Sequence, residues 1–262
     1  MNTQNLKLIV QKKYGEIADG RKSCCGDDSC CSTVDYTVFS DDYSGQNGYN
    51  KDADLGLGCG LPTEFAQIKK GNHVLDLGSG AGNDCFVART QTGVNGKVTG
   101  LDFTEAMVQK ANENLSKTGF GNIEFVQGDI EEMPFPDASF DVVISNCVLN
   151  LVPDKHKAFS EVFRVLKNGG HFSISDVVIV GNLPEGLKKD AEMYAGCVSG
   201  AIGKEEYIAI VKEQGFSHIK IQKEKEIVLS DEVLLKHISP DELDKFKRSG
   251  SGIFSITLFA EK

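Results

Sequence analysis

His73-Val74-Leu75-Asp76-Leu77-Gly78-Ser79-Gly80-Ala81-Gly82 decides the fold. HVLDL reads as a buried strand, and the GSGAG that ends it supplies a tight turn into a helix from about Asn83 to Thr92. A glycine-rich turn between strand and helix lets the backbone approach a ligand closely. The same rhythm continues downstream. Strands are expected at Lys97–Asp102, Ile123–Gln127, Phe140–Ser145 and His171–Val180. Helices are expected at Thr104–Thr118, with Thr104 as N-cap, and at Lys155–Leu166, stopped by Asn168-Gly169-Gly170. Strands alternating with helices imply a parallel sheet covered on both faces, an α/β fold.

Upstream, residues 4–18 suggest a short amphipathic helix. Residues 20–60 are rich in Gly, Asp, Ser and Cys and lack periodicity, which marks a long irregular segment with a functional or disordered character. Downstream of Gly181 the pattern changes to helical signals at 184–196 and 204–214 and a strand at Ile219–Leu229. A polar helical stretch and a final strand at Ile253–Ala260 follow. We divide the chain into an N-terminal helix and Cys-rich lid (1–60), a cofactor-binding core (61–182), and substrate-side helices with the last strands of the same domain (183–262).

The chain has 262 residues and a formal net charge of −10. That charge disfavours nucleic acid, whose binding needs a concentrated Lys/Arg surface. Apolar runs such as Val177–Val180 are far too short to span a bilayer. MNTQNLKLIV lacks the basic flank, apolar stretch and cleavage site of a signal peptide, so a cytoplasmic location is expected. Eight cysteines are many for a reducing compartment, and metal, metalloid or redox chemistry explains them better than a disulfide framework.

Three features refine the glycine turn. Asp102 ends the second strand, where it can bind both ribose hydroxyls. Gly128-Asp129-Ile130 follows the third strand and suits hydrogen bonding and packing of an adenine ring. Ser145-Asn146-Cys147 ends the fourth strand at the same carboxyl edge, where ligands bind in such folds. These segments together resemble class I S-adenosylmethionine-dependent methyltransferases, over roughly residues 70–180. The resemblance implies a Rossmann-like sheet with helices on both faces. It further implies that Asp76, Gly78, Ser79, Gly80 and Gly82 line the methionine part of the cofactor. Asp102 would bind ribose, Asp129 and Ile130 adenine, and Asn146 the methionine tail. Met107 either packs on the adenine face or is plain core.

A fold does not name its methyl acceptor. The fourth strand ends in SNCV rather than the Asn-Pro-Pro-aromatic pattern of nucleobase amine methyltransferases, so a thiol stands where the reacting centre belongs. Cys59 lies in Leu55-Gly56-Leu57-Gly58-Cys59-Gly60-Leu61-Pro62. Cys147 lies in Ser145-Asn146-Cys147-Val148-Leu149-Asn150-Leu151, and Cys197 in Tyr194-Ala195-Gly196-Cys197-Val198-Ser199-Gly200-Ala201. With Tyr14-Gly15 and Ser23-Cys24-Cys25-Gly26, these words resemble the arsenite methyltransferase family over most of residues 8–202. Longer members carry a further C-terminal domain, and its role is not carried to this chain, whose last expected strand runs to Ala260.

Chemistry supports the resemblance independently. Trivalent arsenic is thiophilic. Three thiolates leave it pyramidal with a lone pair that attacks a sulfonium methyl directly, so no general base is required. His73, His171 and His218 at strand starts read as structural. The enzyme must hold the lone pair about 3–3.5 Å from the methyl, in line with the departing sulfur. The resemblance implies that one of Cys24, Cys25, Cys30 or Cys31 joins Cys59 in a transient disulfide, reopened by a thiol reductant such as thioredoxin or glutathione or by a thiol-reductase partner. For these vicinal pairs an adventitious metal site is the alternative. Cys85 reads as core. A quinone-type carbon or oxygen methyltransferase would instead need a base near Cys147. The non-catalytic alternative is a thiol-rich arsenic or zinc binder on a degenerate scaffold.

Overall fold

A computed structural model of the chain describes residues 3–18, 41–188 and 200–262. Cys197 and the N-terminal cysteine pairs lie outside the described residues, as do most of the expected 184–196 helix and much of the irregular segment.

The sheet has seven strands in the order β3-β2-β1-β4-β5-β7-β6. They are β1 (His73–Leu77), β2 (Lys97–Asp102), β3 (Ile123–Gln127), β4 (Phe140–Asn146), β5 (Leu166–Val180), β6 (Ser217–Ile227) and β7 (Gly252–Glu261). The helices are α1 (Thr3–Ala18), α2 (Pro62–Phe65), α3 (Asn83–Thr92), α4 (Glu105–Ser116), α5 (Lys155–Val165), α6 (Glu185–Lys188), α7 (Lys204–Glu213), α8 (Asp231–Leu234) and α9 (Pro240–Arg248). β1 through β5 pair in parallel. The chain winds outward from β1 through β2 to β3, then returns to lay β4 on the other side of β1. The loops leaving β1 and β4 therefore diverge, and a crevice opens at their carboxyl ends.

Alternation along each strand sorts the core into two layers. Leu75, Leu77, Leu101, Val143, Phe172 and Ile174 enter one layer. Val74, Val98, Val142 and Ile144 enter the other, with Phe86 and Ala88 of α3. The first layer is built on aromatic contacts: Phe172 meets Phe159 at 5.8 Å and Phe216 at 4.9 Å between ring centroids, and Phe159 meets Tyr207 at 5.4 Å. Among the described residues no helix is long and apolar enough to cross a membrane.

One expectation needs correction and two are extended. β1 to β5 are parallel as expected, and the sheet as a whole is mixed because β7 inserts antiparallel between β5 and β6. Local periodicity marks a strand but not its direction, which here follows from the return of the chain after α9. The Lys155–Leu166 helix ends at Val165, before Asn168-Gly169-Gly170, because Leu166 already pairs with Phe140 in the sheet. The glycines fall inside β5, where the register shifts between Phe140 and Val142 and Gly169 takes a φ of 77°. Thr104 is the N-cap of α4 but makes no side-chain cap bond. Asp154 does cap α5, accepting from the Lys157 N–H, and Ser239 and Glu242 form a reciprocal capping box on α9.

Phe172 is fully buried at the centre of the aromatic layer. Phe172→Ala is expected to lower unfolding free energy by about 3–5 kcal/mol in a denaturant titration. A loss near 1 kcal/mol would show that α5 and α7 repack around the void.

Candidate active site

The turn after β1 is held open by its glycines. Gly78 has a φ of 66°, and a Cβ there would stand 2.3 Å from Val148 Cγ2. Gly80 has a φ of 51° with nothing within 4 Å of its Cβ position, so that its backbone faces open space. The Gly78 and Ser79 N–H groups donate to the Leu101 carbonyl at 2.7 and 3.0 Å, tying the turn to β2. Asp102 completes the cradle: one carboxylate oxygen accepts the Gly80 N–H at 2.9 Å and the other the Thr104 N–H at 2.8 Å. Burial pushes the Asp102 carboxyl up, against these hydrogen bonds, which favour the charged form. Each oxygen keeps lone-pair capacity for a further donor.

Asp76, Gly78, Ser79, Gly80, Asp102, Met107, Asp129, Ile130, Asn146 and Cys147 all line one cleft above this turn. Gly82 and Cys59 are not among the lining residues. Gly82 is the left-handed N-cap of α3, and a Cβ there would meet the Phe125 ring at 2.8 Å, so its place is in packing. Met107 is both core and wall, being buried and cleft-lining.

One end of the cleft is closed by α1, through Lys7, Val10 and Tyr14. Lys7 pairs with Asp129 at 2.5 Å and with Glu131. Burial lowers the Lys7 pKa, but these two carboxylates outweigh it and hold the ammonium above its ordinary value. Asp129 also accepts the Glu131 N–H at 2.9 Å.

The other end is organised by Asn146. Its amide oxygen accepts the Cys59 N–H at 3.0 Å. Its amide nitrogen donates to the Gly60 carbonyl at 2.9 Å, the Tyr43 hydroxyl at 2.6 Å and Asp84 at 3.2 Å. The Tyr43 hydroxyl donates in turn to Asp84 at 2.9 Å. The loop carrying Cys59 therefore lies flat on the sheet, and its flanking glycines permit that. A Cβ on Gly58 would meet Asn146 Nδ2 at 2.6 Å, and one on Gly60 would meet Ser175 Oγ at 2.6 Å. The Ser255 hydroxyl of β7 donates to the Cys59 carbonyl.

Burial drives the carboxyl groups here upward. Asp76 stands well above its ordinary value, from burial first and the Asp84 charge second. Asp84 is raised to about 6 by burial, opposed by its hydrogen bonds from Tyr43 and Asn146. Cys85 donates to Asp76 at 3.2 Å, and burial pushes its thiol well up, consistent with a core thiol.

Cys147 has a φ of 61°, a left-handed conformation uncommon for a residue with a side chain. Its N–H donates to Ser175 at 2.8 Å, turning the chain sharply off β4. The turn brings together Cys147, Cys59 and Asp176, whose ligand atoms lie within 4.8 Å of one another. Asp176 is raised to about 7 by burial, opposed by the Lys155 charge and by hydrogen bonds from Val177, Tyr207 and Asn150.

Sequence reasoning missed Lys7, Tyr43, Asp84 and Asp176. Asp176 carried a signal, being an acid inside an otherwise apolar strand. Asp84 carried a weaker one, as an acid in the first turn of the helix that follows the glycines. Among the described residues no histidine lines the cleft. His73 bonds Thr99, and His171 bonds the Ala66 carbonyl.

The chain is similar to known methyltransferases. Residues 68–215 match the family model of a methyltransferase domain. The arsenite methyltransferase of Halobacterium salinarum is 42% identical over 234 residues, 83% of this chain and 59% of that protein. The human arsenite methyltransferase is 34% identical over 216 residues, 79% of this chain and 57% of that protein. The crystal structure of the arsenic(III) S-adenosylmethionine methyltransferase of Chlamydomonas reinhardtii superposes with a TM-score of 0.67 at 35% identity. That match covers 78% of this chain and 67% of that one. The chain thus spans somewhat over half the length of these two curated relatives.

Asn146→Ala removes the side-chain partner of the Cys59 N–H and leaves the Gly60 carbonyl only the Tyr43 hydroxyl, at 3.2 Å. The variant is expected to lose about 1–3 kcal/mol of stability. Cys59, now fully buried, should label with a thiol reagent at least about tenfold faster by peptide mass mapping. Unchanged labelling would mean that the loop is held by other contacts.

Proposed function

The chain belongs to the arsenite methyltransferase family of class I methyltransferases, and we propose that it transfers a methyl group from S-adenosylmethionine to trivalent arsenic held by cysteine thiolates. The observation that carries this reading is the meeting of Cys59 and Cys147 in one buried cluster at the wall of the glycine-turn cleft.

The cleft fits the donor. Asp76, Asp84 and Asp54 line the cleft with Asn146, and burial disfavours ionisation of Asp76 and Asp84, a penalty that a bound cation would relieve. A sulfonium with an α-ammonium supplies that cation, and the open backbone at Gly80 leaves room for it. When bound, the donor supplies an electrophilic methyl carbon.

The residues divide the remaining work. Asp102, pinned from below by Gly80 and Thr104, presents its free lone pairs to the ribose hydroxyls. Met107 and Ile130 flank the adenine, and Asp129 accepts from its amino group while Lys7 holds α1 over that end. The backbone of Gly78, Ser79 and Gly80 borders the methionine chain, and Asn146 positions its tail together with the Cys59 loop. Cys59, Cys147 and Cys197 hold the arsenic as thiolates. The arsenic lone pair forms the As–C bond as the S–C bond breaks, and arsenic rises from the trivalent to the pentavalent state. No proton is removed, which accords with a cleft that no described histidine lines. Two thiolates, Cys59 and one from the N-terminal pairs, return arsenic to the trivalent state by giving up two electrons as a disulfide. Thioredoxin or glutathione reopens that disulfide.

The full chain given arsenite, S-adenosylmethionine and thiol is expected to yield methylated arsenic by chromatography. Cys147→Ser and Cys197→Ser should abolish it, because a hydroxyl is a hard, poorly ionised ligand of similar size. Cys59→Ser should retain part of its activity on monomethylarsenite, which needs only two thiolates. Full arsenite activity in Cys147→Ser would sink the thiolate assignment, and methylation of a quinone without arsenic would replace the substrate class.

The raised Asp84 sets a pH dependence. Its folded pKa of about 6 lies above its ordinary value of 3.8, so its ionised form is disfavoured in the free protein, and the unfavourable contribution to stability grows as pH rises towards 6. A cationic ligand reverses that preference. S-adenosylmethionine affinity is expected to rise about threefold to fivefold between pH of about 5.5 and 7.5, with proton release on binding near pH 6. Asp84→Asn should flatten the profile in calorimetric titrations. Asp102→Ala should weaken binding at every pH by about 1.5–3 kcal/mol. An equally steep profile in Asp84→Asn would move the titration to another group.

A further inference from the structure

Asp176 occupies a position that the alternation of β5 assigns to an apolar side chain. Phe172, Ile174 and Val178, on the same face, are buried in the aromatic layer. Asp176 is fully buried with them. One of its oxygens accepts the Val177 N–H at 3.0 Å and the other the Tyr207 hydroxyl at 3.2 Å. Lys155 bears on it as the nearby positive charge, while donating to the Gly200 carbonyl at 3.0 Å. Methyl transfer to a three-thiolate arsenic has no task for this carboxylate. Yet one of its oxygens lies within 4.8 Å of both Cys59 Sγ and Cys147 Sγ.

We propose that Cys59, Cys147 and Asp176 form a binding site for a thiophilic divalent cation with a filled d shell, zinc or cadmium. Around a tetrahedral ion with bonds of about 2.3 Å to sulfur and about 2.0–2.2 Å to oxygen, adjacent donors stand roughly 3.5–3.8 Å apart. The three donors here lie within 4.8 Å of one another, about 1 Å from that spacing. Two thiolates and one carboxylate, with water or a further thiol as fourth donor, make a recognised zinc-type set. The two kinds of ion differ in what they leave over. Trivalent arsenic keeps a lone pair and takes three donors in a pyramid. A filled-shell cation has no such lone pair and closes a tetrahedron, so the oxygen that is surplus for arsenic becomes a ligand. Asp176 is then the residue that separates cation affinity from arsenic affinity. The cation would occupy the thiols assigned above to arsenic and act as a competitive inhibitor. That consequence rests on the proposed function, whereas the cation site itself does not.

The test is titration of the reduced full chain with Cd2+ alone, without arsenic or S-adenosylmethionine. It is followed by the thiolate-to-cadmium charge-transfer band in competition with a chelator. A parallel chain carries serine at Cys24, Cys25, Cys30 and Cys31, so that the N-terminal pairs do not contribute. One tight equivalent is expected in that chain. Asp176→Asn should weaken it at least about tenfold, Asp176→Cys should restore it with a stronger band, and Cys85→Ser should change it less than about twofold. Wild-type affinity in Asp176→Asn, or a loss in Cys85→Ser matching that in Asp176→Asn, overturns the site. If Asp176→Asn does not fold, zinc X-ray absorption on the chain with serine at those four positions decides: sulfur with oxygen supports the site, and a shell of sulfur alone overturns it. Methylation assays with added Cd2+ keep the two readings apart. A tight, Asp176-dependent cation site in a chain that never methylates arsenite leaves the cation site standing and removes the arsenic reading. Normal arsenite methylation with Asp176-independent cadmium binding does the reverse.

Discussion

The Asn146 carboxamide is the interaction on which the rest of the site depends. It sits at the last position of β4, beside the crevice created by the reversal of strand order. One side chain there satisfies the backbone on both sides of Cys59 and also reaches Tyr43 and Asp84. Buried polar groups are costly when unpaired, so a network that leaves few alternatives selects one loop conformation. The thiol of Cys59 is consequently placed by a side chain adjacent in sequence to Cys147. Two cysteines from distant parts of the chain are thereby held to a common frame, which a loop tethered only at its ends would not achieve.

That frame is costly to maintain without ligand. Asp76 and Asp84 are buried close to one another, and burial, with the Asp84 charge acting on Asp76, pushes both carboxyls up against the hydrogen bonds they accept. Cys147 adds a left-handed backbone, and the glycines at 58, 60 and 78 admit contacts that a Cβ would prohibit. These departures from local preference gather at one edge of the sheet. Elsewhere the molecule follows ordinary rules: an apolar two-layer core, an Asp cap on α5 and a capping box on α9. Strain concentrated at a site and supported by a regular scaffold is what function, rather than stability, selects.

The strands β1, β2 and β3 were legible to the residue because each is a short segment closed by glycine or by a polar turn; β1 and β2 are central and largely buried, whereas β3 is a half-buried edge strand. The direction of β7 was not legible, since an apolar segment carries no record of its partner. That GSGAG, Asp102 and Asp129 would border one cleft could be read because those residues follow strands in sequence and so share an edge in space. Cys59 and Cys147 were linked only through family resemblance, since nothing in their local sequence requires them to meet. Tyr43 and Asp84 were invisible for the same reason, being joined through the tertiary path of the 41–60 segment. That path is itself fixed by Asp41, which pairs with Lys223 and Lys225 of β6.

The antiparallel β7 matters to the chemistry more than its late place in the chain suggests. Its Ser255 hydroxyl binds the Cys59 carbonyl, and its Thr257 hydroxyl meets Ser175 Oγ at 2.9 Å, directly beneath Gly60. β7 also pairs along the whole of β5 from His171 to Val180, the segment that carries Asp176. A parallel strand at that place would need a crossover connection over one face of the sheet. The antiparallel insertion instead brings a row of small hydroxyl side chains under the Cys59 loop and leaves the face above it for the cleft. The thiol cluster is thus supported from three directions, by Asn146 of β4, by Ser175 of β5 and by Ser255 of β7. The floor of the site is sheet, and the two buried thiols are placed by what the loops lay upon it.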